Sequence, residues 1–197
     1  MFKKMFTRFS KVVAAGLVLS FMFLVPGAEA SHWGLSGGLQ THDPTIVRES
    51  GNTWWSASTG TGIGMKYSTN GGKTWTDGLP IFSQPLSWWK KYAPNMTTND
   101  VWTPDLEYYR GRYYCYYSVS EFGKNNSAIG LVSCSSISRG DWRDDGVVLY
   151  SRYGSSKFNA IDPNLVVDAK GKPWLVYGSW FDGIHVVRLN QSTMKPT

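Results

Sequence analysis

Three stretches of this 197-residue chain follow one plan, and that recurrence limits the folds open to it more than any other feature. His42-Asp43-Pro44-Thr45-Ile46-Val47 leads through Gly51-Asn52 to Trp54-Trp55-Ser56-Ala57-Ser58. Thr103-Pro104-Asp105-Leu106-Glu107-Tyr108 leads through Gly111-Arg112 to the run from Tyr113 to Ser118. Ile161-Asp162-Pro163-Asn164-Leu165-Val166 leads through Gly171-Lys172 to Trp174-Leu175-Val176-Tyr177-Gly178-Ser179. Asp43 and Asp105 stand 62 residues apart, Asp105 and Asp162 57. Each unit reads as an Asp beside a Pro, a strand, a Gly-containing turn and an aromatic strand. In the second unit two more strands are expected, Ala128 to Cys134 and Trp142 to Tyr150. Four short strands per repeat of this length describe a β-propeller blade. A sandwich would use similar strands, but it does not predict the recurrence. The expected fold is all-β, without helix, with blades starting near residues 42, 104 and 161.

In a propeller the first strand of each blade lines the central channel, so the recurring Asp should converge there from three blades. The count of strands gives about two and three-quarter blades, whereas propellers close with about four to eight. The expectation is an incomplete propeller with open sheet surface and an exposed apolar flank.

Residues 1–30 stand apart from the repeat. Lys3, Lys4, Arg8 and Lys11 make a basic start, Val12 to Val25 an apolar run, and Ala28-Glu29-Ala30 a small-residue cleavage site. This is the layout of a secretory signal peptide, and the apolar run is shorter than the roughly 20 residues that span a bilayer. The expected product is a secreted, extracellular domain of residues 31–197. The leader carries a net +3 (four bases, one acid) of the chain's +6, which leaves +3 on the remaining 167 residues. Their Lys and Arg are scattered, which argues against nucleic acid as a partner.

Cys115 and Cys134 are the only cysteines. Export permits a disulfide, but both lie in predicted strands, where buried free thiols are common. His32, His42 and His185 stand too far apart for a zinc motif. All ten Trp and eleven Tyr, with four Phe, fall within residues 31–197. Most suit a core, but Trp and Tyr faces also stack on sugar rings, and Trp88-Trp89 sits in loop-like sequence.

Glycoside hydrolysis needs one carboxylic acid on the leaving oxygen and one carboxylate on the opposite face. In inverting enzymes the second activates water. A third acidic group can raise the acid's pKa and hold it in place. Asp residues at the channel-facing starts of separate blades suit that work, although any single Asp-Pro, taken alone, is more often a turn or strand entry.

The motifs His42-Asp43-Pro44, Asp100-Val101-Trp102-Thr103-Pro104-Asp105, Ser127-Ala128-Ile129-Gly130, Asn159-Ala160-Ile161-Asp162-Pro163-Asn164 and Gly178-Ser179-Trp180-Phe181-Asp182-Gly183-Ile184 occur in this order. Together they resemble glycoside hydrolase family 43, and most of all its endo-α-1,5-L-arabinanases, which are five-bladed propellers. The resemblance implies an inverting hydrolysis of α-1,5 bonds in arabinan or arabino-oligosaccharide by a protein that is a monomer when complete. Asp43 would be the general base, and Asp162 the carboxylate that orients the general acid and raises its pKa. The family's acid is a Glu in a Glu-Ala-Pro-like motif after this second Asp. No Glu follows Asp162 here, since Glu49, Glu107 and Glu121 all precede it. Asn159, Ala160 and Ile161 would line the glycone side of Asp162, and Ser179, Trp180 and Phe181 would border the cleft. Gly123 would let a sugar approach the backbone, and Trp102 would offer either a stacking face or a core side chain. Asp105 would serve a turn or touch sugar. No cofactor is required. Some members hold calcium through a histidine late in the chain, at a point that would lie beyond Thr197, so no metal is expected here.

Two other readings compete. Ser68-Thr69-Asn70-Gly71-Gly72-Lys73-Thr74-Trp75 nearly matches the Asp-box turn of sialidase propellers, with Asn for Asp, but no arginine cluster suggests a carboxylate-bearing sugar. The other is a catalytically inactive, truncated arabinan-binding fragment, because the general acid is missing.

Overall fold

The computed structural model describes residues 34–197; the expected signal peptide lies outside them. The chain runs through β1 (Ser36–Gly37), β2 (Thr45–Ser50), β3 (Thr53–Ser58), β4 (Gly60–Thr61), β5 (Gly64–Ser68) and β6 (Thr74–Asp77). A helical turn follows, α1 (Trp89–Tyr92), and then β7 (Asp100–Tyr109), β8 (Arg112–Ser120), β9 (Ser127–Cys134) and β10 (Arg143–Ser151). Last come β11 (Asn164–Val167), β12 (Pro173–Tyr177) and β13 (His185–Arg188).

These strands build three sheets. The first has the order β1-β6-β5-β3-β2, the second β10-β9-β8-β7-β4, and the third β11-β12-β13. Pairing is antiparallel except between β1 and β6. Apart from β1, which adds to the far edge of the first sheet, and β4, which joins the edge of the second, each sheet is an up-and-down meander, and β2, β7 and β11 lie side by side. The expected repeat is therefore present as three successive sheets. The near-Asp-box is a tight turn between β5 and β6: the Asn70 carboxamide oxygen accepts the Thr74 amide at 2.9 Å, and the Ser68 hydroxyl accepts the Gly72 amide at 3.0 Å.

The middle sheet differs in kind from its neighbours. Every residue of β9, and all of β8 beyond Arg112, is buried. One face, with Leu106, Cys115, Tyr117, Val119 and Val132, packs on Ala57, Met65 and Trp89 from the first sheet and α1. The opposite face, with Tyr114, Tyr116, Ile129 and Leu131, packs on Leu165, Leu175, Leu189 and Met194. A strand covered on both sides shows a near-continuous apolar run in place of alternation, as Tyr113 to Tyr117 does. Each fully buried Leu here contributes about 1.5–3 kcal/mol. Cys115 and Cys134 are free and buried within this sheet, and burial pushes the Cys115 thiol well up from its ordinary range.

Two expectations need correction. The region before β7 is not wholly loop, because Trp89–Tyr92 closes one helical turn. Trp89 is 1 % exposed, with its indole N–H 3.3 Å from the Tyr117 hydroxyl and its ring edge-on to Phe82, so it belongs to the core and offers no face to sugar.

The sheets do not close on themselves. Leu35, Leu39 and Ile46 are 48 %, 43 % and 51 % exposed on the first sheet's outer side, and Val166, Val167 and Val186 are exposed on the third.

Glu49 fastens the end of β2 to the turn after β9. Its carboxylate accepts the Trp55 indole N–H at 2.8 Å, the Ser136 hydroxyl at 2.8 Å and the Ser138 amide at 3.1 Å. Burial opposes ionisation, but the bonds from Ser138, Ser136 and Trp55 outweigh it and hold the carboxyl below its ordinary range. A depressed carboxyl stabilises the fold above its unfolded pKa of 4.5, and that contribution is lost as pH falls through the lower folded value. Glu49→Gln should therefore cost up to about 1 kcal/mol near pH 7 after solvent screening. The gap from wild type should close as the solution is acidified, which urea unfolding at several pH values measures.

Candidate functional site

The starts of β2 and β11 meet the first half of β7 at one end of the three sheets, and each carries a residue that precedes proline, just before β2 and β11 and inside β7. Asp43 before Pro44, Thr103 before Pro104 and Asp162 before Pro163 all have positive φ, at 48°, 40° and 55°. Proline disfavours the helical region for the residue before it, and a non-glycine residue held at positive φ costs of order 1–3 kcal/mol. The same unusual turn at the same place in three sheets aims three side chains into one cleft. That cleft, of about 300 Å³, is lined by Asp43, Thr45, Thr103, Asp105 and Asp162 with the three prolines.

This corrects the expected repeat. The third position belongs to Thr103, not Asp105. Counted on the residue before proline, the spacing is 60 residues from Asp43 to Thr103 and 59 from Thr103 to Asp162, more regular than the spacing through Asp105. Asp105 lies two residues on, past an irregularity in the β7–β8 register. It is 7 % exposed. Its carboxylate accepts the Leu165 amide at 2.5 Å and the Asn164 side-chain amide at 3.3 Å, so it ties the second sheet to the third. Burial pushes its pKa up, against the pull of those two bonds.

A chain of hydrogen bonds runs between the exposed Asp43 and the half-buried Asp162. Thr59 donates from Oγ1 to Asp43 Oδ2 at 2.8 Å and accepts the Thr103 amide at 2.8 Å. Thr103 donates from Oγ1 to Asp162 Oδ1 at 2.8 Å. The Asp162 amide donates to the buried Ser118 hydroxyl at 3.1 Å. Thr59 reaches Thr103 because β4, which follows it, pairs with β7: Gly60 opposes Val101 and Thr61 opposes Asp100. The outer oxygen of Asp43, Oδ1, lies 3.5 Å from His42 Nε2. Thr59, Thr103 and Ser118 were not selected from the sequence; the even spacing of the X-Pro pairs was the available sign for Thr103.

The remaining candidates fall into two groups. Asn159, Ala160 and Ile161 are 5 %, 0 % and 8 % exposed, directly before Asp162. Asn159 accepts the Ser127 hydroxyl at 2.7 Å, Ala160 donates its amide to Ser151 at 2.9 Å, and Ile161 accepts the Gly178 amide at 2.8 Å. They form the floor under Asp162 and sit outside the cleft lining. The others ring the same end. Gly178 starts the loop of Ser179, Trp180 and Phe181, and at its φ of 109° an added Cβ would lie 2.2 Å from the Gly183 carbonyl oxygen. Trp180 is 86 % exposed and Phe181 53 %. Trp102 is half-buried beside Thr103, in an adjoining cleft of about 320 Å³ with Asn95, Asp100, Glu121, Phe122 and Lys124. Gly123, at φ 78°, has open space where a Cβ would point.

No Glu lines the carboxylate cleft. Glu121 is 5 % exposed and bonded to Asn95 and Asn126. Among the described residues there is no group of three or more His, Cys, Asp or Glu that could hold a metal ion. No helix of the described residues is long and apolar enough to cross a membrane.

Residues 38–197 match the family described as glycosyl hydrolases family 43. The extracellular endo-α-(1→5)-L-arabinanase 1 of Bacillus subtilis is 47 % identical over 203 residues, which cover 99 % of this chain and 60 % of that protein. A GH43 endo-arabinanase structure from Bacillus licheniformis superposes with a TM-score of 0.79 at 50 % identity, over 84 % of this chain and 57 % of the other. The Cellvibrio cellulosa α-L-arabinanase complexed with arabinohexaose superposes with a TM-score of 0.75 at 33 % identity, over 81 % and 51 %. The chain thus spans between half and 60 % of the length of these relatives.

Proposed function

The chain belongs to glycosyl hydrolase family 43, and from that premise we propose that it forms part of a secreted enzyme that hydrolyses α-1,5-arabinofuranosidic bonds with inversion. The observation that carries the reading is the delivery of Asp43 and Asp162 to one open cleft by separate sheets. Asp43 acts as general base: its outer oxygen takes a proton from water as that water attacks the anomeric carbon. Asp162 stands beside the general acid, keeps that acid protonated by like-charge repulsion and orients it. The acid itself, a Glu that protonates the leaving oxygen, is not among these 197 residues. The whole protein is read as a five-bladed, monomeric propeller of which the three sheets are the first blades.

The substrate follows from the relatives and from the rim. An arabinanase structure at 33 % identity holds arabinohexaose, and Trp102, Trp180 and Phe181 offer apolar ring faces around the cleft. Ser179 borders it, Gly123 leaves room for a sugar at the backbone, and Asn159, Ala160 and Ile161 shape the floor on the glycone side of Asp162.

A second reading holds for the 197 residues alone: binding of arabino-oligosaccharide without hydrolysis, favoured by the lack of any Glu after Asp162. Proton NMR of linear arabinan with the full-length protein distinguishes the readings. The first expects release of sugar whose new reducing ends appear first in the inverted anomeric form. Products of retained configuration would sink the base role of Asp43. The present chain should give binding without product.

A further inference from the structure

We infer that Thr59 and Thr103 are positioning residues: a two-hydroxyl bridge that sets the spacing of the Asp43 and Asp162 carboxylates and decides which oxygen of each is free to react. The inference rests on the proposed roles of those two aspartates.

Proton bookkeeping fixes the bridge's direction. A threonine hydroxyl has one proton to give. Thr59 Oγ1 faces two groups at 2.8 Å, and one of them, the Thr103 amide, is itself a donor. The Thr59 proton must therefore point at Asp43 Oδ2. Thr103 Oγ1 in turn gives its proton to Asp162 Oδ1 at 2.8 Å. Ser118 lies 3.4 Å from Thr103 Oγ1 and accepts the Asp162 amide, which leaves its own proton free for Thr103. Both aspartates are thus held by one oxygen each. Asp162 Oδ2 is left for the acid, and Asp43 Oδ1, with His42 Nε2 3.5 Å away, for water.

The backbone supports the same conclusion. Thr103 is β-branched and precedes proline, yet it sits at φ 40°. A β-branched residue there is a genuine outlier. In this conformation its amide serves Thr59, on the Asp43 side, and its hydroxyl serves Asp162.

The test uses Thr103→Val and Thr59→Val, which keep the branched shape and remove the hydroxyl, beside Thr103→Ser and Thr59→Ser, which keep the hydroxyl alone. In the full-length protein the valine variants should lose up to about 10²-fold in kcat on linear arabinan through misplaced carboxylates, with KM nearly unchanged. The serine variants should return kcat close to wild type. A packing role predicts the reverse, with serine no better than valine, and that result would overturn the inference, as would wild-type kcat in the valine variants. If the wild-type protein cleaves no arabinan, the functional reading fails and the bridge is judged by crystal structures instead. There, a Thr103→Val variant whose Asp162 carboxylate leaves its wild-type orientation supports the bridge, and an unmoved carboxylate overturns it.

Discussion

Asp43→Asn should abolish the turnover of linear arabinan by the full-length protein, lowering kcat by about 10²–10⁴-fold, while arabinohexaose binds nearly as before. Asparagine is the informative replacement because it keeps everything about the residue except its basicity. It tolerates the positive φ of 48° that the turn before Pro44 imposes. Its carboxamide oxygen still accepts the Thr59 hydroxyl, so the bridge to Thr103 stays intact. What goes is the oxygen that collects a proton from the attacking water. The loss corresponds to roughly 3–5 kcal/mol of transition-state stabilisation. Steady-state kinetics paired with calorimetric titration of arabinohexaose separates the two quantities. Turnover within tenfold of wild type would remove Asp43 from the base role, and lost binding would make it a substrate anchor.

The largest effect on stability is expected at Asp105. Asp105→Ala removes the acceptor of the Leu165 amide and of the Asn164 side chain at a position closed to water. An orphaned buried donor costs about 1–3 kcal/mol, and with the second bond the total should reach about 2–3 kcal/mol. For a chain of this size that lowers Tm by about 4–12 °C. Asp105→Asn should cost less, since its oxygen still accepts the Leu165 amide. It should also change the pH dependence. Burial raises the folded pKa of Asp105 above the unfolded value of 3.8. The folded state therefore holds this proton more tightly, and stability falls as pH rises from the unfolded value through the folded one. Asp105→Asn removes that fall. Urea unfolding between about pH 3 and 7 should give it the flatter profile, and parallel profiles would mean that Asp105 is not the buried acid described. Because Leu165 lies three residues past Asp162, the alanine variant should lower activity as well as Tm.

The strands were legible wherever punctuation and aromatic runs agreed. Ala128 to Cys134 and Trp142 to Tyr150 differ by a residue at most from β9 and β10 at either end. Gly and Ser clusters bound both, and a blade needs a hairpin there. The site was legible in its outer members only. Asp43 and Asp162 carried the right residue type beside proline, so chemistry and position pointed the same way. At Thr103 they diverged: the carboxylate two residues on drew the assignment, although the proline set the phase. Trp89 failed for a different reason. Whether an aromatic in a connection faces water or folds back on the sheet depends on contacts such as Phe82 and Tyr117, which no local pattern encodes. The burial of Asn159, Ala160 and Ile161 was hidden likewise, since their covering comes from Ser127 and Ser151 in another sheet.

The doubly covered middle sheet also bears on how quickly the chain can reach this structure. The Tyr116 hydroxyl is satisfied by the Met194 carbonyl at 2.6 Å, 78 positions along the chain. Until β11 to β13 have formed, Tyr114, Tyr116, Ile129 and Leu131 present an uncovered apolar face to water. Closing so long a loop is charged in entropy before any contact repays it, so this docking belongs late in folding and slows it. For as long as it is pending, two neighbouring molecules can join by the faces that should meet within one. The period of greatest hazard for this protein is thus the interval between its second sheet and its third.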